Sequence, residues 1–380
     1  MADSPPTYLS PSELGSKDYW EAYYARTLAH LSQSQPPNSS STITTTTTDI
    51  TPNAPSTEID DSDSASEVND DDDPGTSWFS EHNAPQKVLR FLTSKSFPLS
   101  PRNTLRRRGH SSSPTLPHQP RILDLGTGNG SMLALLRKKG GFVGEMVGVD
   151  YSARSVQLAR ELQSARGHSA YHTDDEDESE SDEDYDEGED EEVGEEQDPN
   201  AAAKEETVLA RPEPGKEATA EAVGISADTD ENQTPQEIRF EEWDILGSTA
   251  QLSETGTPSS APPPADQKLD WFPYETGGFD IVLDKGTFDA VSLSDDAKDT
   301  RVCERYPRIA RRLVRAGGFV VVTSCNWTEE ELVSWFVGGG HDQGGNDRLV
   351  VWGRVEYPRF RFGGHEGQGV STVCFRRVVQ

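Results

Sequence analysis

The chain has 380 residues, of which 32% are hydrophobic, with 25 prolines, 32 glycines and a formal net charge of −32, so much of it cannot be core. Two tracts free of Lys and Arg, residues 58–73 with nine acids and 171–200 with eighteen, carry most of that charge, and the rest is nearly balanced. The acidity disfavours a nucleic-acid substrate by long-range repulsion. The three cysteines, Cys303, Cys325 and Cys374, form no C-x-x-C pair and argue against a disulfide framework or a zinc site.

In chain order, residues 1–15 are polar and Pro-rich. From Ser16 the spacing predicts an amphipathic helix with Tyr19, Trp20, Tyr23, Tyr24 and Leu28 on one broad face, either packing against the end of a sheet or capping a ligand pocket. A Ser/Thr/Asp-rich span follows, and a second helix is expected from Pro85 to Leu92. Residues 97–120 read as a loop, basic at Arg106 to Arg108.

The most informative stretch is Arg121 to Asp150. A short apolar strand, Ile122 to Leu125, runs into Asp124-Leu-Gly126-Thr-Gly128-Asn-Gly130. Alternating glycines let a strand turn into a helix and let backbone N–H groups approach a ligand. A helix carrying Met132, Leu133, Leu135 and Leu136 stops at Gly140-Gly141, and a second strand, Met146 to Val149, ends in Asp150. This is one half of a nucleotide-binding α/β sheet. The spacing departs from G-x-G-x-x-G, since position 131 is Ser131, and Asp124 would repel a pyrophosphate. An ammonium suits Asp124, and a ribose diol suits Asp150. These features favour S-adenosylmethionine (SAM) over a dinucleotide, although glycines alone make only a tight turn.

Residues 152–166 read as a helix, followed by a long polar interruption over about 167–236, and then by a strand from Ile238 to Trp243. Asp244, flanked by Trp243 and Ile245, is placed to accept from an adenine amine; the alternative is an acid capping its own turn. After a Pro-rich gap, about 247–270, the run Ile281 to Leu283 stops at Asp284. Ligands of open α/β sheets sit at strand carboxyl ends, so Asp284 to Thr287 are expected at the donor, with Asp284 also orienting or deprotonating an amine. A helix over 301–315 should direct Val302, Ile309, Leu313 and Val314 inward and be kinked or divided at Pro307. A turn at 316–318 leads into a strand, Phe319 to Thr323, and then a helix whose Thr328 and Glu331 form a capping box. Tyr357 to Phe362 and Val370 to Arg377 read as an antiparallel hairpin at the sheet edge, joined through a Gly-rich link.

Several segments together resemble the protein-lysine methyltransferases of translation elongation factor 1-alpha, in a fungal-type version. They are Leu14-Gly-Ser-Lys-Asp-Tyr-Trp-Glu-Ala-Tyr-Tyr, Ile122-Leu-Asp-Leu-Gly-Thr-Gly-Asn-Gly, Asp284-Lys-Gly-Thr-Phe-Asp-Ala, Thr323-Ser-Cys-Asn-Trp-Thr-Glu-Glu-Glu-Leu and Phe360-Arg-Phe-Gly-Gly followed by Gly369-Val-Ser-Thr-Val-Cys-Phe. The resemblance implies an α/β, Rossmann-like seven-stranded SAM-dependent methyltransferase sheet with a C-terminal antiparallel hairpin. A single domain over 1–380 is expected, with long disordered inserts at about 33–75, 97–120, 167–236 and 247–270 that are read from composition and depart from the family pattern. The resemblance further implies SAM as donor and elongation factor 1-alpha as protein substrate; no metal is expected, from the cysteine spacing.

The expected cofactor residues are Asp124, Gly126, Gly128, Gly130, Asp150, Trp243, Asp244, Ile245 and Asp284; the expected catalytic group is Asp284, with Tyr19, Trp20 and Trp327 walling a lysine channel. A soluble, cytoplasmic protein without membrane or direct nucleic-acid binding is expected from the absence of an 18-residue apolar run or a basic-then-apolar N-terminus. Two other functions compete: a SAM-dependent methyltransferase of RNA or a small molecule, and a non-catalytic protein on the same fold whose acidic tracts bind basic proteins.

Overall fold

In the computed structural model the described residues are 8–34, 79, 82–104, 119–165, 237–259, 263–295, 302–338, 347–362 and 365–379. Most of the expected inserts, and both acidic tracts, lie outside them.

The chain builds one seven-stranded sheet from β1 (Ile122–Leu125), β2 (Met146–Asp150), β3 (Arg239–Glu242), β4 (Phe279–Lys285), β5 (Val314–Ser324), β6 (Asp347–Val355) and β9 (Ser371–Val379). Their order is β3-β2-β1-β4-β5-β9-β6. The first five run parallel, and β9 pairs antiparallel with both β5 and β6. The strand order therefore reverses between β1 and β4, which opens a crevice at their carboxyl ends. Helices α4 (Ser131–Lys138) and α5 (Ala153–Ala165) connect β1, β2 and β3. Helix α6 (Thr287–Ser292) and α7 (Val302–Leu313) follow β4, and α8 (Glu329–Val333) follows β5. Ahead of the sheet come α1 (Lys17–Ser34), α2 (Ala84–Thr93) and the single turn α3 (Pro101–Thr104).

Side chains of neighbouring strand residues enter opposite layers. Leu123, Leu125 and Val282 join Phe288, Tyr306 and Trp327 on one side, while Ile122, Ile281 and Leu283 join Leu133, Leu136 and Phe97 on the other. A smaller cluster packs Tyr24 and Leu28 of α1 on Leu158 and Leu162 of α5. The Glu21 carboxylate also accepts the Ala153 N–H at 2.8 Å, so α1 is fixed to the first turn of α5 at the crevice.

The capping box forms as expected, with Thr328 accepting from the Glu331 N–H and Glu331 accepting from the Thr328 N–H. Several expectations change. The antiparallel partner of β9 is β6, a stretch for which no element is expected, and β9 lies inside the sheet rather than at its edge. Residues 359–362 and 365–368 instead pair with each other as a separate two-stranded ribbon, β7 (Arg359–Phe362) and β8 (His365–Gln368). Helix α7 is not divided at the buried Pro307, and its inward face is Cys303, Tyr306, Pro307, Ala310 and Leu313, with Val302 and Ile309 only part-buried and Val314 already in β5.

The described parts of 247–270 are ordered, because the fully buried Arg377 guanidinium donates to Glu254 O at 2.8 Å and Val314 O at 2.7 Å while pairing with Asp347. The Ala316 N–H donates to Gly256 O, and Leu252 enters the core. Likewise 97–104 is structured, with Phe97 fully buried and Pro101–Thr104 helical.

Candidate functional site

A cavity opens at the carboxyl ends of β1, β2 and β4, beneath α1. Its floor is the turn after β1, where Gly126, Gly128 and Gly130 have φ of 60°, 58° and 80°. These left-handed conformations favour glycine. A Cβ on Gly126 would fall 2.2 Å from Thr287 Oγ1, and one on Gly128 would fall 3.0 Å from the Tyr24 hydroxyl. Both are cavity-wall positions. Gly130 does other work: it precedes α4, and a Cβ there would meet the Phe240 ring at 2.6 Å.

Asp150 ends β2 on the cavity wall, accepting the Gly128 N–H at 3.1 Å and the Ser152 N–H at 2.9 Å. Burial raises its carboxyl above the ordinary range, against those hydrogen bonds. Asp244 is also on the wall, beside Trp243, Ile245 and Tyr151. Its Oδ1 accepts the Leu246 and Gly247 N–H groups at 3.0 Å each, so it both caps its own turn and faces the cavity. Trp20, Tyr23 and Tyr24 of α1 cover the opening, with the Trp20 indole N–H held by Leu14 O at 2.8 Å.

Five expected site residues are not on the wall. Gly130 is accounted for by packing. Asp124 is 3% exposed, and its Oδ2 accepts the Thr127 hydroxyl at 2.9 Å, bracing the glycine turn from below. Burial lifts its carboxyl to about 6, opposed by Thr127 and by the charge of Lys285. Asp284 is 1% exposed and points into the opposite layer. Its Oδ1 accepts the Thr287 and Phe288 N–H groups at the start of α6, and its Oδ2 accepts the Tyr306 hydroxyl at 2.7 Å.

Trp327 is 4% exposed, packed against Phe288 and Trp335 in the core. Tyr19 sits part-buried against Trp20, at 5.1 Å between rings and outside the cavity wall. Asp284 shares the face of Val282, which α6 and α7 cover, and its carboxylate is taken up by the Thr287 and Phe288 N–H groups and the Tyr306 hydroxyl, whereas its chain neighbours Lys285, Gly286 and Thr287 reach the cavity.

Lys285, Gly286 and Thr287 reach the wall, as the placement of Asp284 to Thr287 at the donor expects, whereas Thr127, Tyr151 and Ser294 are wall residues not anticipated. Thr127 lies between Gly126 and Gly128 and Tyr151 directly follows Asp150, so their adjacency to expected residues was an available signal.

The donor set fits SAM. Two carboxylates, Asp150 and Asp244, face the cavity beside the apolar Leu125, Val149 and Ile245, and Lys285 is its sole basic wall residue among those described. A diol and a purine amine find acceptors there, whereas a pyrophosphate would meet carboxylates. Among the described residues no group of three or more His, Cys, Asp or Glu could hold a metal ion, and no helix is long and apolar enough to cross a membrane.

Residues 118–187 match a family model described as a methyltransferase domain. Over 369 residues, 97% of this chain and 96% of the relative, the sequence is 25% identical to protein-lysine N-methyltransferase EFM4 of Saccharomyces cerevisiae. The efm4 protein of Schizosaccharomyces pombe is 23% identical over 97% of this chain and 95% of its own length. EEF1A lysine methyltransferase 2 of Homo sapiens is 36% identical over 105 residues, 27% of this chain and 40% of the human protein.

Proposed function

We infer that this chain is a SAM-dependent protein-lysine N-methyltransferase, and we propose that its acceptor is a lysine of translation elongation factor 1-alpha. The observation that carries the chemistry is the pairing of a glycine turn with two wall carboxylates, Asp150 and Asp244, in a cavity roofed by the aromatic residues of α1. The near full-length similarity to the two yeast lysine methyltransferases supports the acceptor class.

When bound, SAM supplies a methyl group already activated on a sulfonium. The chain therefore has to position the reactants and desolvate the acceptor amine. Asp150 is assigned to the ribose diol and Asp244 to the adenine amine, with Tyr151 and Ile245 beside the ring. Trp20, Tyr23 and Tyr24 exclude water from above, and we assign the aliphatic stem of the acceptor to Trp20. An acceptor ammonium must lose a proton before it can attack, starting from a reference pKa near 10.4. Asp284 is walled off behind β4, so we assign that loss to desolvation and escape to solvent rather than to this carboxylate. Its role is to cap α6 and thereby set Gly286 and Thr287 on the cavity wall.

We place the protein in the cytoplasm on the same reading, in keeping with its three free cysteines, Cys303, Cys325 and Cys374. Incubation with labelled SAM and elongation factor 1-alpha, followed by mass spectrometry of the factor, tests the assignment. A methylated lysine is the expected product. Label appearing on RNA or on a small molecule would retain the chemistry and overturn the acceptor.

A further inference from the structure

Lys285 is the one basic side chain on the cavity wall among the described residues. It closes β4, and by strand alternation it faces the layer of Leu283 and Asp124, not that of Asp284. Its Nζ stands 5.5 Å from the centre of the Phe79 ring. Its charge reaches Asp124 and Cys325, where it opposes the upward pull of burial on carboxyl and thiol. The two wall carboxylates, Asp150 and Asp244, lie instead at the β2 and β3 side of the cavity.

SAM is extended and chemically two-ended, with a nucleoside at one end and a zwitterionic amino acid at the other. Once the nucleoside is on Asp150 and Asp244, its other end falls toward β4. A carboxylate entering a low-dielectric cavity needs a cation. We propose that Lys285 is the counter-ion of the methionine carboxylate of SAM, with the buried Phe79 ring, itself off the cavity wall, steadying its ammonium. The competing role, contact with the incoming acceptor lysine, would set two ammonium groups against each other where charge is poorly screened. This inference rests on the SAM assignment above and adds to it a residue that reads the amino-acid half of the ligand.

Calorimetry with S-adenosylhomocysteine and with 5′-methylthioadenosine tests it. The first ligand carries the amino-acid end without the sulfonium charge, and the second lacks that end altogether. Wild-type protein that binds neither ligand overturns the SAM assignment and this proposal with it. Given wild-type binding, Lys285→Met is expected to weaken S-adenosylhomocysteine about tenfold or more, the scale of one charge-assisted hydrogen bond. Methylthioadenosine affinity should stay within about twofold. Lys285→Arg should retain most of the affinity for both. Phe79→Leu keeps the charge and removes the ring, and should cost S-adenosylhomocysteine a few-fold and methylthioadenosine nothing. Equal losses for both ligands, or no loss for either, would overturn the role of Lys285.

Discussion

The Tyr306 hydroxyl donates to Asp284 Oδ2 at 2.7 Å, and both residues are sealed from solvent. Burial lifts the Asp284 carboxyl from the ordinary 3.8 to about 7. A raised folded-state value means that between about pH 4 and 7 the folded protein binds more protons than the unfolded chain. This group therefore favours the fold at low pH, and its contribution is lost as pH rises through that window. Asp284→Asn should remove that dependence, so the melting temperatures of wild type and variant should converge or cross between pH 5 and pH 8. The variant should also bind S-adenosylhomocysteine as wild type does. A folded Asp284→Asn protein without ligand affinity would return Asp284 to the site.

Asp150 predicts a different signature. Both S-adenosylhomocysteine and methylthioadenosine carry the ribose, so Asp150→Ala should weaken the two equally, by about tenfold or more, the scale of hydrogen bonds to a charged acceptor. Titration calorimetry reads this directly. A loss confined to S-adenosylhomocysteine would mean that Asp150 meets the amino-acid end instead.

Gly126 and Gly141 separate backbone strain from site geometry. Both have positive φ, 60° and 70°, and an alanine at either should cost about 1–2 kcal/mol from the left-handed conformation. At Gly126 the new Cβ also meets Thr287 Oγ1 at 2.2 Å, displacing the hydroxyl that donates to Leu125 O, whereas at Gly141 the nearest atom is 4.0 Å away. Gly126→Ala should lose both stability and ligand binding, and Gly141→Ala stability alone, as measured by thermal melts and calorimetry.

The two tryptophans first expected in the channel should part company. Trp327 is core, and Trp327→Ala should destabilise by about 3–5 kcal/mol in denaturant unfolding. Trp20 is on the cavity wall with a part-buried ring, so Trp20→Ala should slow methyl transfer with a smaller stability loss. The reverse ranking would place Trp327 at the acceptor.

The features legible in the residues alone were local ones. Glycines 126, 128 and 130, the apolar runs with Asp124, Asp150 and Asp284 at or near their ends, and the Thr328–Glu331 capping box are read from neighbours a few positions apart, and each was found where spacing put it. The parallel half of the sheet followed, since one glycine turn between two strands and an acid after the second is a self-contained pattern.

What the tertiary structure decided was which of two neighbouring side chains at a strand end reaches the cavity and which is sealed in the core. Asp284 and Lys285 are adjacent in sequence, and only the packing of α6 and α7 on one face of β4 sends the first inward and leaves the second at the cavity. The same holds for β9, whose partner β6 is separated from it in sequence by the β7–β8 ribbon. Alternation tells a strand that it has two faces, but burial of one of them is a property of elements dozens of residues away. For that reason the ligand class could be read from the chain while the side chains that meet it could be sorted only in three dimensions.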